Sequence, residues 1–277
     1  MAKKAKRKQN TPRMPRKRPL EPITVAFSHL KGGVGKTTAA INVSNCFARM
    51  GYKTLLVDMD PQSSSSEMFL DQNQPEKTLY HVLYEEVPLA EVTQNISDNL
   101  YLAPASIDVA MLENRLGEMV DGYHMLQIAP EKNDYDCVII DTPPSIDVLT
   151  SNALIASSHL IIPVQVSYFA LTGIENIMQT YQTIRQRANP KLSLLGVLIT
   201  MIDDRLTFAR DIKGDVSDLF GDIMFKTVIH RSVRLEESPA YRKNIFDHAP
   251  RSRGSEEFIQ LTQEIIERCR NSPPTHS

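Results

Sequence analysis

Residues 30–38 read Leu30-Lys31-Gly32-Gly33-Val34-Gly35-Lys36-Thr37-Thr38. They follow a short apolar run at residues 23–28, typical of a β-strand, and precede a stretch at residues 36–50 with helical periodicity. Glycines let backbone N–H groups converge on an anion, a helix beginning here adds the positive end of its dipole, and a lysine reaches the terminal phosphates of a nucleotide. The stretch therefore predicts a phosphate-binding loop, with the hydroxyl of Thr37 placed to bind Mg²⁺.

Apolar runs that predict strands alternate along the chain with stretches of helical periodicity. The predicted strands lie at residues 23–28, 54–57, 100–103, 137–140, 160–166, 194–200 and 223–228. The predicted helices lie at residues 36–50, 78–85, 89–95, 105–128 (mostly helical), 149–157, 171–187, 208–220 and 255–270. Because strands of a parallel sheet that is covered on both faces are apolar throughout, the pattern predicts an α/β fold: a doubly wound, mostly parallel sheet with helices on both faces.

Acidic side chains follow two of these strands. Asp58 and Asp60 come at the end of the second predicted strand, and Asp141 ends the run at residues 137–140. The C-terminal ends of parallel strands share one edge of the sheet, and ligands of such folds bind at that edge. We therefore expect these carboxyl groups to lie beside the phosphate-binding loop.

Charge is distributed unevenly over the 277 residues, whose net charge is −2. Residues 1–20 hold nine Lys or Arg and no acid, and the remainder holds 22 basic against 33 acidic residues. A basic arm on an acidic body predicts contact with a polyanion such as nucleic acid, although a solvated tail without a specific role fits the same composition. The three cysteines form no C-x-x-C pair, which argues against a disulfide framework or a zinc site. No run is long and apolar enough to span a bilayer.

The loop departs from the strict P-loop pattern, because Leu30 stands where that pattern has glycine and a second lysine, Lys31, follows it. This K-G-G-x-G-K-T-T form resembles the deviant Walker A loop of the ParA/MinD superfamily of ATPases. Further stretches from residue 23 to about residue 268 resemble the ParA/Soj family of DNA-partitioning ATPases, among them Asp-Thr-Pro-Pro-Ser at 141–145 and Arg-Ser-Val-Arg at 231–234. The resemblance implies a basic, disordered tail at residues 1–22, a P-loop ATPase domain at residues 23–270 and a short flexible tail at residues 271–277.

The resemblance also assigns roles around ATP and Mg²⁺, the cofactors that it implies. Residues 31–38 would bind the nucleotide, and Thr37 and Asp141 would hold the metal. Asp60 would position the attacking water, whereas Asp58 would be structural or belong to the shell around Mg²⁺. Lys36 would serve the bound phosphates and Lys31 would reach the ATP of the second subunit, so that Lys31, Lys36 and Asp60 form the catalytic set of a weak ATPase.

For partners, the resemblance implies an ATP-bound homodimer that binds non-specific DNA through Arg205 and Arg234 and is released when a ParB-type protein stimulates hydrolysis. Ordinary salt bridges are the other interpretation of these arginines, since acidic residues lie close by in sequence. The protein is expected in the cytoplasm, associated with the nucleoid. Membrane binding is not expected, because the last predicted helix has a glutamate-rich polar side. Two alternatives stay open: a ParA-like ATPase that positions a protein assembly such as a carboxysome or chemoreceptor cluster, and a switch protein with negligible hydrolysis.

Two positions depart from the family pattern. Four serines occupy residues 63–66, where relatives often begin with glycine, so the dynamics of this segment are expected to differ. His230 stands where many relatives have proline, in a loop that resembles part of the adenine pocket, and we expect it to be a packing or hydrogen-bonding residue.

Overall fold

A computed structural model describes residues 14, 20–70, 75–128, 134–165, 170–203 and 220–271. Within these residues one sheet contains seven strands in the order β3-β4-β2-β5-β1-β6-β7. The strands are β1 Ile23–Phe27, β2 Thr54–Asp58, β3 Gln94–Ser97, β4 Leu100–Ala103, β5 Cys137–Asp141, β6 His159–Gln165 and β7 Ser193–Thr200. Every neighbouring pair is parallel except β3 and β4. The predicted fold class is confirmed.

Apolar side chains alternate between the two faces of the sheet and pack into a separate core on each face. In β2 and β5, Leu56 and Ile139 belong to one core, whereas Leu55 and Ile140 belong to the other. The first core is covered by helix α1, Lys36–Arg49, and by the C-terminal helix, Arg253–Asn271. The second is covered mainly by helices Leu79–Tyr84, Leu112–Gly117, Val148–Ile155 and Ala170–Arg187. Shorter helices are Ser64–Phe69, Leu89–Val92, Met125–Ile128, Val233–Glu237 and Ile245–His248, with 3₁₀ turns at Ile107–Met111, Gly221–Ile223 and Ser238–Tyr241.

The register of the central strands brings the C-terminal ends of β1, β2 and β5 side by side at one end of the sheet. Phe27 at the end of β1 lies opposite Asp141 at the end of β5, and Asp58 at the end of β2 lies opposite Asp141 on the other side. The hydroxyl of Thr142 donates to the Phe27 carbonyl at 2.9 Å and ties two of these ends together. The loop that leaves β1 therefore begins beside both carboxyl groups.

The helix predicted at residues 89–95 is wrong in its second half. The helix Leu89–Val92 ends when Thr93 turns into the extended conformation, and Gln94–Ser97 becomes the antiparallel edge strand β3. The hydroxyl of Thr93 donates to the Leu89 carbonyl at 2.7 Å. The same carbonyl also accepts from the Thr93 N–H at 3.1 Å, so Thr93 closes the helix with both groups, and pairing with β4 provides the strand with its backbone partners.

The strand predicted at residues 223–228 is also wrong. This segment makes only an isolated bridge, Val197 to Met224, in the described part of the chain. Phe225 donates its N–H to the Val197 carbonyl of β7 at 2.9 Å. The C-terminal helix takes other backbone groups: Glu264 accepts from the N–H groups of Lys226 and Thr227, both at 2.9 Å, and Arg268 donates to the Met224 carbonyl at 2.5 Å. Side chains of a helix thus satisfy groups that a longer strand pairing would have used.

Residues 105–128 are only partly helical, because a 3₁₀ turn, a helix and a last short helix are separated by turns. A Cβ on Gly122 would lie 1.8 Å from the Leu116 carbonyl oxygen, so the chain reverses here in a way that a continuous helix would prevent. The helix predicted at residues 208–220 lies outside the described residues apart from Phe220. Among the helices that the structure describes, none has the length and apolar character that crossing a membrane would need.

Candidate nucleotide-binding site

The loop after β1 has the backbone of a phosphate cradle. Gly33 and Gly35 have φ angles of 76° and 86°, in the left-handed region that favours glycine. Gly35 caps the N-terminus of α1, so the free N–H groups of its first turn face the loop. The end of β7 supports the turn, since the hydroxyl of Thr200 donates to the Val34 carbonyl at 2.8 Å. A Cβ on Gly35 would lie 3.3 Å from the terminal methyl of Met201, which leaves little room for a side chain.

The two lysines of the loop lie in opposite environments. Lys36 is buried, and burial lowers its pKa, while the nearby carboxyl groups of Asp141 and Asp60 act to raise it. The side chain of Lys31 is exposed at the front of the loop. Its backbone N–H donates to Nδ1 of His29 at 2.9 Å. Only Lys36 therefore lies inside the site of its own chain.

Asp141 is fully buried beside the loop. Burial raises the pKa of its carboxyl to about 6, against the opposing effects of Ser65, Thr37 and Lys36. Its Oδ2 accepts a hydrogen bond from the Ser65 hydroxyl at 2.7 Å, whereas Oδ1 is buried without a hydrogen-bond partner among the described residues. A buried carboxylate oxygen left over beside a threonine hydroxyl fits Mg²⁺, which binds a few protein oxygens and completes its shell with water and phosphate.

Asp58 lies next to Asp141 in the sheet and is equally buried. Burial and the Asp141 charge raise its pKa to about 8. Its Oδ2 accepts from both the N–H and the hydroxyl of Ser66, at 2.8 and 2.7 Å, and its Oδ1 accepts from the Asp60 N–H at 3.2 Å. Because these hydrogen bonds all come from the segment that follows β2, Asp58 has the structural role that is one of the two interpretations given above.

Asp60 lies at the entrance of the site and is partly exposed. It is close enough to Lys36 for its charge to affect the pKa of that lysine. Its Oδ1 accepts from the Gln62 N–H at 2.9 Å, and the preceding residue, Met59, donates its N–H to the Asp141 carbonyl at 2.9 Å. The structure therefore brings the loop lysine and all three strand-end carboxyl groups into one cluster.

Comparison with known proteins identifies this arrangement. A family model described as an AAA domain matches residues 23–194. The sporulation initiation inhibitor protein Soj of Bacillus subtilis is 38% identical over 245 residues, which cover 87% of this chain and 97% of that protein. The chain belongs to the ParA/Soj family of partition ATPases. The chromosome-partitioning ATPase Soj of Thermus thermophilus is also 38% identical, over 248 residues that cover 90% of this chain and 97% of the relative.

A solved structure supports the ParA/Soj fold and the character of the site. Cobyrinic acid a,c-diamide synthase from Mycobacterium smegmatis, crystallised with bound ADP and magnesium, superimposes with a TM-score of 0.80. The two chains are 29% identical, and the match covers 92% of this chain and 99% of the other. Nucleotide and magnesium are thus held by a fold of this kind.

Two of the four serines at residues 63–66, Ser65 and Ser66, are site residues whose roles the sequence did not reveal. Ser63 adopts the left-handed conformation with φ 55°, which favours glycine. Ser65 and Ser66 donate to Asp141 and Asp58, and the Ser66 hydroxyl also accepts from the Ala105 N–H at 2.9 Å. The sequence indicated their role only through the polar character of a run that comes shortly after Asp60.

A small, mainly apolar side pocket opens next to the loop. Its lining includes Gly35, Thr38 and Ala39 at the start of α1 and Met201 and Ile229 opposite them. His230 also lines it, and the buried Glu257 fixes this residue by accepting from its N–H at 2.9 Å and bonding to its Nδ1 at 2.6 Å. His230 therefore has the hydrogen-bonding role that was expected of it.

The structure describes one of the two arginines predicted to bind DNA, and the DNA-binding role of both stays a prediction. Arg234 lies on the helix Val233–Glu237 with an exposed side chain that pairs with Glu237 at 3.0 Å. Exposed pairs of this kind are worth about 0–1 kcal/mol, so the pair opens easily when a phosphate competes. Arg205 lies outside the described residues, and its role stays a prediction.

Proposed function

We propose that this protein hydrolyses ATP slowly, forms an ATP-bound homodimer that binds DNA without sequence preference, and leaves the DNA when a ParB-type partner stimulates hydrolysis. Residues 23–270 would form the ATPase domain. The observation that carries the proposal is the single cluster of Lys36, Asp60 and Asp141 at the mouth of a glycine loop. Membership of the ParA/Soj family supports the partition role.

The loop and the adjoining side pocket would bind ATP. Backbone N–H groups of residues 32–38 and the buried ammonium of Lys36 would hold the β- and γ-phosphates, as in other phosphoryl-transfer sites. Lys36 stands between two carboxyl groups that favour its charged form, although burial lowers its pKa. The apolar pocket beside Gly35 and Ala39 would receive the base.

Thr37 and Asp141 would hold Mg²⁺, which, when bound, neutralises charge on the phosphate oxygens. Ser65 leaves Oδ1 of Asp141 available by taking the other carboxylate oxygen as its acceptor. Asp60, partly exposed at the mouth, would orient the attacking water. The segment that carries Asp60 is bonded through Ser66 to Asp58, so the position of Asp60 is set by a buried anchor.

Lys31 would act on the ATP bound to a second copy. Its side chain is exposed, whereas the lysine inside its own site is Lys36. Positive charge brought from another subunit stabilises the charge that develops on the transferred phosphoryl group, as an arginine finger does. ATP would thereby join two subunits, and hydrolysis would separate them.

Binding to DNA would use Arg234 and Arg205 on both subunits of the dimer. Guanidinium groups bind phosphates of any sequence, and the affinity falls steeply with salt. Dimerisation doubles the number of these guanidinium groups, which makes the affinity depend on ATP. The protein would then occupy the nucleoid in its ATP state.

The test is binding of a fluorescent, non-specific DNA duplex with ATP, with ADP and without nucleotide, for the parent protein, Lys36→Ala, Arg234→Ala and the matched surface control Arg187→Ala. We expect salt-sensitive binding that is much tighter with ATP than with ADP or without nucleotide, with this ATP-dependent gain lost in Lys36→Ala and weakened about tenfold in Arg234→Ala. The control should bind like the parent. Equal binding in all three nucleotide states would contradict the proposal.

A further inference from the structure

We propose that His29 is a positioning residue that directs Lys31 toward the second subunit. The inference rests on the trans role of Lys31 proposed above. It concerns a residue that neither the loop pattern nor the carboxyl cluster singled out. His29 comes two residues before Lys31, between the end of β1 and the phosphate-binding loop.

The imidazole of His29 is buried and accepts a hydrogen bond from the loop. Its side chain belongs to the buried polar set, with the residue only 3% exposed, and the preceding residue, Ser28, donates its N–H to the Ile161 carbonyl at 3.1 Å. Nδ1 of His29 accepts from the Lys31 N–H at 2.9 Å. A side-chain acceptor that bonds to the N–H two residues later imposes a turn, as Asn and Asp do in Asx turns.

This turn fixes the backbone position from which the exposed side chain of Lys31 extends. The backbone of Lys31 precedes Gly32 and Gly33, at which a Cβ would meet nothing within 4 Å, so little packing of these glycines restrains the loop there. The hydrogen bond to His29 restrains the Lys31 backbone directly. Without it, the loop would sample more conformations, and the ordering cost of bringing the ammonium to a second subunit would rise.

The protonation state of the ring suits this task. Because Nδ1 accepts, the neutral ring carries its proton on Nε2, which is buried without a hydrogen-bond partner among the described residues. Burial, with the charges of Lys36 and Lys31, lowers the pKa of His29 to about 4. The ring thus offers an acceptor without adding a third positive charge to a loop that already holds two lysines.

His159 provides a matched control for the effect of losing any buried histidine. It is 6% exposed, burial lowers its pKa to about 4, and its Nδ1 lies 2.8 Å from the Ser158 hydroxyl. It pairs with Val25 in the middle of β1, four residues before His29, and hydrogen-bonds to Ser158 rather than to the loop. A variant here lowers stability without contact with the loop.

The experiment compares His29→Leu, which fills the space without an acceptor, His29→Asn, whose amide oxygen restores the turn, His159→Leu and Lys31→Ala. Two quantities are measured with magnesium: the affinity for ADP, and the dissociation constant of the dimer formed with a slowly hydrolysed ATP analogue. We expect His29→Leu to weaken the dimer about tenfold, the effect of one lost hydrogen bond, with ADP affinity changed less than about twofold. His29→Asn should dimerise within about threefold of the parent, and His159→Leu like the parent.

Each contrary result has a distinct meaning. If His29→Leu dimerises like the parent while Lys31→Ala does not, the role of His29 is wrong and the proposed function stands. If Lys31→Ala itself dimerises like the parent, the trans role of Lys31 is wrong. An equal loss of ADP affinity in His29→Leu would show that the ring supports phosphate binding instead of Lys31. Should His29→Leu fail to fold, His29→Asn decides, because a folded Asn variant that behaves like Lys31→Ala contradicts the turn.

Discussion

The protonation of the site depends on two buried carboxyl groups. Asp58 and Asp141 lie opposite each other at the ends of β2 and β5, both fully buried, and burial raises the pKa of each carboxyl, to about 8 and about 6. Serine hydroxyls provide the short hydrogen bonds that stabilise their charged forms. The metal-free site therefore stores unfavourable electrostatic energy that a bound cation would relieve.

Replacing Asp141, the carboxylate proposed to hold Mg²⁺, should stabilise the metal-free protein. The folded protein keeps the Asp141 proton up to about pH 6, whereas an unfolded chain releases it near its ordinary value of 3.8, so the free energy of unfolding falls as the pH rises through this window. Asp141→Asn has no carboxyl group to titrate, so its free energy of unfolding does not fall in this way. Its amide oxygen still accepts the hydrogen bond from Ser65. We expect it to be more stable by about 1–3 kcal/mol at pH 8 and similar to the parent near pH 4, measured by urea unfolding in EDTA. A variant less stable than the parent at pH 8 would refute this.

Removing the hydroxyl of Ser65 should weaken magnesium binding. Its bond to Oδ2 of Asp141 lowers the pKa of that carboxyl, so Ser65→Ala favours the protonated form that does not hold a cation. The Mg²⁺ concentration for half-maximal ATP turnover should rise about five- to tenfold at pH 7, the effect of one charge-assisted hydrogen bond. The neighbouring Ser64 is exposed, and Ser64→Ala is the control. Equal magnesium curves for the two variants would contradict the role.

At the level of elements, the C-terminal helix takes the place that a strand neighbour has elsewhere in the sheet. Arg268 donates to the carbonyls of Leu195, Ile223 and Met224 at 3.0, 3.0 and 2.5 Å, and its guanidinium lies 4.3 Å from the centre of the Phe225 ring. The helix thereby holds the segment that leads to His230 and the side pocket. The pocket wall depends on these helix side chains as well as on backbone bonds to β7, such as the one from the Ile229 N–H to the Ile199 carbonyl at 2.9 Å.

Arg268→Ala should therefore destabilise the fold more than a surface substitution. It leaves three carbonyls short of a donor and removes the cation–π interaction with Phe225, for an expected loss of about 2–4 kcal/mol. Arg270→Ala, on an exposed position of the same helix, should cost less than about 0.5 kcal/mol. Chemical denaturation measures both. Similar values for the two variants would show that the anchoring is not energetically important.

The elements that the sequence predicted well are those with one dominant signal. Apolar runs located β1, β2 and β5, and the glycine loop with its following strand-end acids placed the site at the correct edge. The segment at residues 223–228 has the same apolar pattern, but Glu264 and Arg268 take its backbone groups, and these residues lie about 40 positions further along the chain. Local patterns do not contain such long-range competition. The hydrogen bonds of the serines could not be predicted for the same reason, because Ser65 and Asp141 are distant in the chain.

For the whole molecule, the basic arm and the dimer should contribute to DNA binding in separable ways. Residues 1–20 hold nine of the 31 basic residues, so an arm of this charge binds DNA whatever the nucleotide. Deletion of residues 2–8 should weaken binding by the same factor with ATP, with ADP and without nucleotide, and reduce the salt slope by about 0.9 for each phosphate that the arm no longer neutralises. Arg234→Ala should act in the ATP state alone. Loss of ATP dependence on deleting the arm would contradict this division.

The central claim is that ATP joins two copies of the chain and hydrolysis separates them. Sedimentation velocity with ATP and Mg²⁺ tests it most directly, on the parent and on Asp60→Ala, which should bind ATP but lack the residue that orients water. We predict a dimer in ATP and a monomer in ADP for the parent, and for Asp60→Ala a dimer that persists after the parent's has dissociated. A parent that remains monomeric in ATP, or an Asp60→Ala dimer that dissociates as fast as the parent's, would contradict the account.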